Sequence, residues 1–261
     1  MYAYTILPID KKEEGGTKKD RALEKDTVGM YVYNENLKKQ WGGEFEMPYA
    51  RNMMHNLDYT LANDGKVYLL AKVYNAKPGE ERKMLESQNQ ITYHYEILIY
   101  DKANKEPAIV QLRTDQYYPS GSFLYQDDKQ NIIIAGCYSK DLKNLHLSDG
   151  LFMIKLDPEK NTLTKVNSGY YEIPSEIIKQ YLSDKQKEKV KLLEQEGDLG
   201  LNSLKLQKIY TTPGGCIKII SEVYGDFGNG AVGLDAFVMS IDKEGKMEWV
   251  KKIHKIQHAS W

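Results

Sequence analysis

Three segments of the chain repeat one plan, and this repetition constrains the fold more than any other feature of the sequence. Each segment is a run of apolar and β-branched residues that ends in tyrosine. The runs are KVYLLAKVY, NIIIAGCY and CIKIISEVY, and they end at Tyr74, Tyr138 and Tyr224. A polar turn precedes each run, which is typical of a strand entered through a hairpin. The three runs therefore predict equivalent β-strands in repeated units.

A second strand follows each run and ends in an aspartate at the start of a turn. Asp101, Asp157 and Asp242 take this position, and Asn34 takes it in an incomplete copy near the N-terminus. An aspartate that opens a turn accepts a hydrogen bond from a backbone N–H two residues on, which favours a tight reversal. Another strand comes after each turn, and a short strand precedes each tyrosine-ending run. Every complete unit therefore has four antiparallel strands.

Four-stranded antiparallel units repeated along a chain are typical of the blades of a β-propeller. We therefore predict an all-β fold of about four propeller-like blades, in a single domain. The predicted blades are residues 1–46, 56–113, 120–167 and 203–254. Because four-bladed rings are uncommon, we expect these blades to be part of a larger ring. Alternatively, His254–Trp261 pairs beside the strand Tyr2–Ile9 and closes a four-bladed ring.

Residues 174–197 have a helical pattern. Apolar residues recur at helical spacing between Ile177 and Leu182, and the other face is rich in lysine and glutamate. Ser183 and Gln186 have the spacing of a capping box, which predicts the start of a second short helix. We expect a helical insertion between the third and fourth blades. A solvated surface excursion is favoured over a helix that docks a partner.

Composition and the chain start limit the function classes. The 36 basic and 37 acidic side chains nearly balance, which argues against a nucleic-acid partner held by bulk charge. No run reaches the roughly 18 apolar residues of a membrane-spanning helix, so we predict no transmembrane segment. The first residues lack the basic leader and apolar core of a signal peptide. Cys137 and Cys216 are too few for a disulfide framework, and the repeat predicts that Cys137 is buried.

The segments LDAFVMSIDKEGKMEWVKKI (Leu234–Ile253), DGKVYLLAKVY and IIKQYLS resemble a group of uncharacterised bacterial proteins with propeller-like repeats. The resemblance covers most of the chain from about Gly29 onward and implies a propeller-like fold. Many proteins of that group look exported, so it also implies an exported or cell-envelope protein. The group has no assigned chemistry, so no functional residue follows from the resemblance.

A ligand site on such blades is expected in the loops at one end of the channel. These are the connections before the first strand of a blade and between its second and third strands. The candidates in these loops are Arg51, His55, Asp58, Arg113, Asp115 and Tyr117. Arginine, aspartate and tyrosine together suit a carboxylate or a sugar. An ordinary set of loop residues would have the same composition.

The sequence predicts no catalytic residue, no cofactor and no metal site. No pair of carboxylates stands out as a general acid and base. His254 and His258 have ligand-like spacing, but on a strand they would lie about 13 Å apart. We therefore predict a non-catalytic binding or protein-interaction scaffold, with a protein or a glycan as partner. The alternative is part of a propeller hydrolase or lyase acting on glycans, which requires acidic side chains to converge with arginine or tyrosine at one channel mouth.

Overall fold

A computed structural model describes ten stretches of the chain. They are residues 3–9, 24–75, 92–114, 117–127, 130–142, 144–157, 159–197, 199–226, 231–255 and 257–258. The chain divides into two compact units, which we call unit 1 (Met1–Arg113) and unit 2 (Thr114–Trp261). Antiparallel sheets dominate both units.

Unit 1 contains two sheets. The first is built from β1 (Ala3–Ile9), β2 (Lys25–Tyr33) and β3 (Lys39–Ala50), in that order. The second is built from β4 (Met54–Leu61), β5 (Val67–Tyr74), β6 (Tyr93–Tyr100) and β7 (Ala108–Leu112), again in chain order. Because neighbours in each sheet are also neighbours in sequence, both sheets are up-and-down meanders, which is the strand plan of a propeller blade.

Unit 2 contains two further meanders. The first is built from β8 (Tyr118–Gln126), β9 (Ile132–Ser139), β11 (Gly150–Asp157) and β12 (Thr162–Glu172). The second is built from β14 (Leu204–Thr211), β15 (Ile217–Asp226), β16 (Ala231–Ile241) and β17 (Met247–Ile253). The short strand β18 (Gln257–His258) pairs with β16, so these two residues do not follow the alternative that placed them beside the N-terminal strand. Two short strands, β10 (Leu147–Ser148) and β13 (Leu201–Asn202), pair with each other.

The predicted fold class is confirmed: the fold is all-β, with propeller-like antiparallel sheets and a helical insertion. The insertion contains α1 (Ser175–Ile178) and α2 (Asp184–Glu196). Ser183 caps α2 with the predicted capping box to Gln186, and Gly197 ends the helix at a φ of 76°. The capping box joins residues three positions apart, which is why the sequence pattern is sufficient to predict it.

The two sheets of unit 1 pack their apolar faces together. Alternate residues of β2 and β5 point into this core because side chains alternate along a strand. The buried residues are Val28, Met30, Val32, Phe45, Met47, Met54, Val67, Leu69, Ala71, Val73, Leu98 and Tyr100. The indole N–H of Trp41, in the first sheet, donates at 2.9 Å to the carbonyl of Gly65, in the turn between β4 and β5.

The sheets of unit 2 enclose a core of their own. β9 and β11 supply one side, and β15 and β16 supply the other. Cys137 is buried in it as predicted, and its thiol lies 3.5 Å from the Leu204 carbonyl oxygen. Burial raises the pKa of the Cys137 thiol to about 12, so the group is protonated and packs as a small apolar side chain.

The aspartates predicted to close the hairpins do accept backbone hydrogen bonds. The Asp101 carboxylate accepts from the N–H of Ala103 at 2.7 Å, and Asp157 accepts from Glu159 at 2.9 Å. Asp242 differs, because its carboxylate accepts from Lys246, four residues on, at 2.8 Å. The side chain thus stabilises the reversal in each hairpin.

A buried lysine fastens the insertion to the last sheet. The Lys252 ammonium, on β17, donates to the carbonyls of Ile178 and Gln180, each at 3.0 Å. It also lies 2.7 Å from a carboxylate oxygen of Asp235, on β16. Ile177 and Ile178 pack against the unit 2 core. The C-terminal end of α1 is therefore held both by apolar contact and by a cation at its free carbonyls.

Candidate functional site

A cleft of about 290 Å³ lies at one end of the unit 1 core. The residues that line it are Asp26, Met47, Tyr49, Arg51, Met54, His55 and Asn56. They come from the start of β2, the end of β3, the turn after β3 and the start of β4. Because consecutive strands of a meander run in opposite directions, these strand ends meet at one edge. The cleft thus lies at the connection that leads into the first strand of a blade.

An ion pair forms part of the cleft wall. The Arg51 guanidinium donates to Asp26 through Nε at 2.7 Å and Nη2 at 2.6 Å, and both bonds end on the same oxygen, Oδ1. Within the described part of the chain, Asp26 Oδ2 and Arg51 Nη1 make no hydrogen bond. Both side chains are about half exposed. Asp26 Oδ2 is therefore available as an acceptor and Arg51 Nη1 as a donor.

A second carboxylate lies behind Tyr49. The Tyr49 hydroxyl donates to Glu96 Oε1 at 3.0 Å, and His94 Nε2 lies 2.9 Å from the same oxygen. His94 Nδ1 lies 2.7 Å from Asn75 Oδ1, which fixes the imidazole between two side chains. Glu96 is only 5% exposed, and its other oxygen, Oε2, is buried without a hydrogen-bond partner among the described residues. This network therefore uses Oε1 of Glu96 and leaves the buried Oε2 without a donor among the described residues.

Strand register explains how Glu96 comes to lie beside the cleft. Asn56 on β4 pairs with Ala71 on β5, and Ala71 pairs with Glu96 on β6, so the three side chains share one face of the sheet. Ala71 has the smallest side chain of the three and is fully buried. The buried carboxylate therefore lies on the same face as Asn56, which lines the cleft.

The Tyr49 hydroxyl has a raised pKa. Burial, with the hydrogen bond to Glu96 and the negative charge of that carboxylate, raises the pKa of Tyr49 to about 12. The hydroxyl is therefore a donor at neutral pH, and it occupies Glu96 Oε1 in the structure described here.

Two of the six residues singled out from the sequence line this cleft, namely Arg51 and His55. The imidazole of His55 is exposed and lies 5.5 Å, centroid to centroid, from the ring of Tyr74. Asp58 lies outside the cleft because of a β-bulge between Asn56 and Asp58. The bulge adds one residue, which turns Asp58 to the opposite face of the sheet from Asn56.

The other three candidates lie elsewhere. Arg113 is exposed just after β7, and Asp115 lies outside the described residues. Tyr117 packs into an aromatic cluster of unit 2, with ring centroids 4.4 Å from Tyr170 and 4.9 Å from Tyr138. Arg51 and His55 thus line one cleft of unit 1, and Tyr117 belongs to an aromatic cluster of unit 2.

Sequence reasoning missed Asp26, Tyr49 and Glu96. Glu96 had a usable signal, since it is the one charged residue inside the apolar strand YEILIY and therefore had to be either exposed or paired. Asp26 and Tyr49 had none, because only the pairing of the first sheet brings the start of β2 and the end of β3 to one edge.

Of the two histidines with ligand-like spacing, the structure describes the side chain of His254. His254 Nδ1 lies 2.6 Å from a carboxylate oxygen of Asp235, and its ring stacks on Tyr181. The side chain of His258 lies outside the described residues. Among the residues that the structure describes, no three His, Cys, Asp or Glu side chains are grouped to hold a metal ion. In the same residues, no helix has the length and apolar character needed to cross a membrane.

No protein-family model matches the sequence, and no curated protein matches it. Solved structures match at low identity. A protein of unknown function from Dyadobacter fermentans is 9% identical with a TM-score of 0.45, over 96% of this chain and 65% of that one. An arabinanase from Bacillus subtilis is 11% identical with a TM-score of 0.39, over 97% of this chain and 76% of that one.

A polysaccharide lyase is 7% identical with a TM-score of 0.45, and the match covers 87% of this chain and 51% of the lyase. The chain therefore spans less than two thirds of the length of the Dyadobacter fermentans protein and of the lyase. Likeness of this degree carries no argument about chemistry.

Proposed function

We propose that the unit 1 cleft binds an uncharged ligand with adjacent hydroxyl groups, that is, a saccharide, and that it does so without catalysis. The observation that carries the proposal is the half-used ion pair of Asp26 and Arg51. One hydroxyl of a vicinal diol can donate to Asp26 Oδ2 while its neighbour accepts from Arg51 Nη1. Such charge-assisted hydrogen bonds are roughly twice as strong as neutral ones.

The rest of the cleft supports the same ligand class. Asp26 and Arg51 compensate each other's charge, so a charged ligand gains no net attraction from the pair. Asn56 adds an amide, and Tyr49 with the two methionines adds apolar surface for the carbon skeleton of a sugar. A volume of about 290 Å³ is close to the lower limit of ligand pockets, roughly 300 Å³, which suits one or two sugar units of a longer chain.

The arrangement favours binding over hydrolysis. A glycosidase places two carboxyl groups on either side of the scissile bond. Among the described residues that line the cleft, Asp26 is the one carboxylate, and Arg51 holds it as an ion pair. Glu96 lies behind the Tyr49 hydroxyl and not among the lining residues. The pair of facing carboxyl groups that the hydrolase alternative needs is thus not formed by this lining.

Calorimetric titration with neutral disaccharides tests the proposal. Cellobiose, maltose, lactose and mannobiose serve as probes, with digalacturonic acid as the charged comparison. We expect at least one neutral disaccharide to bind more tightly than the diacid. Arg51→Met should weaken that binding by tenfold or more, since a hydrogen bond from a charged group is worth about 1.5–3 kcal/mol.

Arg113→Met is the matched control, because it removes the same side chain from an exposed position outside the cleft. Its affinity should equal that of the unsubstituted protein. Failure of every neutral disaccharide to bind overturns the proposal. Appearance of cleavage products after long incubation with any probe would overturn its non-catalytic part and support the hydrolase or lyase.

A further inference from the structure

We propose that Glu96 is the specificity-determining residue of this cleft and that Tyr49 gates access to it. In this scheme a hydroxyl of the bound saccharide donates to Glu96 Oε2, after the Tyr49 side chain rotates toward the cleft opening. The inference rests on the proposed function and adds to it a buried acceptor and a moving side chain.

The first support is the cost of an unsatisfied buried carboxylate oxygen. Glu96 is 5% exposed, and Oε2 has no donor among the described residues, whereas Oε1 has two contacts. Buried polar atoms almost always have a partner, so an exception needs an explanation such as an absent ligand or water. A ligand hydroxyl that reaches Oε2 supplies the missing donor in a region shielded from bulk water, where hydrogen bonds are strong.

The second support is the double role of Tyr49. Its side chain lines the cleft, and its hydroxyl is the group that donates to Glu96 Oε1. Tyr49 is therefore the only described residue that both lines the cleft and hydrogen-bonds to Glu96. Its ring is partly buried against the unit 1 core, so rotation toward solvent gives up part of this contact and the hydrogen bond to Glu96. The rotation is a change of side-chain rotamer and leaves the backbone of β3 in place.

The third support is that Glu96 is held in place without Tyr49. His94 Nε2 lies 2.9 Å from Oε1, and Asn75 fixes the other ring nitrogen of His94 at 2.7 Å. His94 is thus a positioning residue, and the carboxylate keeps its position when Tyr49 rotates away. A preorganised acceptor of this kind discriminates strongly against a ligand that lacks the matching donor, because Oε2 then remains unpaired.

Glu96→Gln and Tyr49→Phe separate this inference from a structural role of the same residues. Glutamine keeps the shape and an acceptor for Tyr49 but replaces Oε2 by an NH₂ donor, so the affinity for the best-binding disaccharide of the neutral panel should fall by tenfold or more. Tyr49→Phe removes the hydroxyl that occupies Oε1, so the affinity should rise, by about twofold to tenfold. Thermal unfolding of both variants confirms that they are folded.

Changes in opposite directions support the inference. Equal losses of affinity in both variants overturn it, since they identify the two residues as structural supports. Unchanged affinity in Glu96→Gln also overturns it and leaves Oε2 as the partner of a buried water. If the unsubstituted protein binds none of the disaccharides, the proposed function fails first, and that result is distinct from either outcome in the variants.

Discussion

The same hairpin turn occurs five times in the described chain, and its fourth residue always has a positive φ. Each turn has five residues. The N–H of the first residue donates to the carbonyl of the fifth, and the N–H of the fourth residue donates to the carbonyl of the first, as in Ala62–Lys66. The residues with positive φ are Leu37, Gly65, Gln130, Gly215 and Gly245, with φ of 59°, 80°, 67°, 83° and 81°. Three of the five are glycine, which adopts this conformation without steric cost. Leu37 and Gln130 are exposed and adopt it against their preference.

We therefore expect Leu37→Gly and Gln130→Gly each to stabilise the protein by about 0.5–1 kcal/mol. The relief of left-handed strain, about 1–2 kcal/mol, exceeds the added flexibility of glycine in the unfolded chain. The midpoint of urea unfolding measures the change. Gly215→Ala is the control. A Cβ at this position would lie 3.7 Å from Lys243, which is an ordinary contact, so the backbone conformation alone opposes the substitution. Leu37→Gly and Gln130→Gly variants that unfold at lower urea would contradict this account.

Tyrosines at equivalent repeat positions make unlike contacts. Tyr138 is buried within the aromatic cluster of unit 2, whereas the ring of Tyr74 packs on His55. The Tyr224 hydroxyl donates to Glu222 at 2.8 Å, which raises the pKa of Tyr224. The shared position ends a strand, but the neighbouring side chains decide whether the ring packs or hydrogen-bonds.

Among the elements, the helical insertion depends most on one side chain. Lys252 bonds to two carbonyls of the α1 end and to Asp235 while its side chain is only 3% exposed. Neither helix has a buried residue, but Ile177 and Ile178 of α1 pack against the unit 2 core. The contacts of α1 are therefore what attaches this part of the insertion to the sheet.

Lys252→Met should loosen α1 and lower the free energy of unfolding by about 2–3 kcal/mol, because it removes the cation that contacts Asp235 Oδ2 and the donor of two carbonyls. Hydrogen exchange read by mass spectrometry should show faster exchange in residues 175–182. Lys251→Met is the matched control, since Lys251 is exposed on the neighbouring position of the same strand. Equal exchange in the two variants would mean that the apolar contacts of Ile177 and Ile178 suffice.

Element by element, the repeat predicted the fold well and the site poorly. Strands such as β5, β9 and β15 follow from local patterns, because hairpins join residues that are close in sequence. The site depends on register instead. One extra residue in β4 turns Asp58 away from Asn56, and the pairing of β2 with β3 brings Asp26 to Arg51. Neither the bulge nor the pairing leaves a periodic pattern that a single sequence could reveal.

At the scale of the whole molecule, both units bury groups that ionise in alkali. Burial raises the pKa of Tyr93 in unit 1 and of Tyr171 in unit 2 to about 12, as it does for the Cys137 thiol. The ordinary values are 10.0 for tyrosine and 9.0 for the thiol. The folded protein therefore keeps protons that the unfolded chain releases as the pH rises above these values.

Stability should accordingly be insensitive to these groups below pH 9 and should fall as the pH rises from 9 toward 12. Each group contributes up to about 1.4 kcal/mol per pH unit over its range. Urea midpoints between pH 7 and 11 measure the slope, and Cys137→Ala should lessen it above pH 9. A slope that is identical in that variant would contradict the burial of an ionisable thiol.

The insertion is held to the sheets at both of its ends, and the ion pair of Lys179 with Glu194 ties α2 to the segment before it. After α2, the strand β13 pairs with β10, and before it Lys252 donates to the carbonyl of Ile178. The described α2 residues contact neither core. A break in the backbone within α2 would therefore leave both cut ends fastened to the sheets of unit 2. The same property makes α2 a place where new chain termini, a tag or a reporter domain can be introduced without disturbing either core.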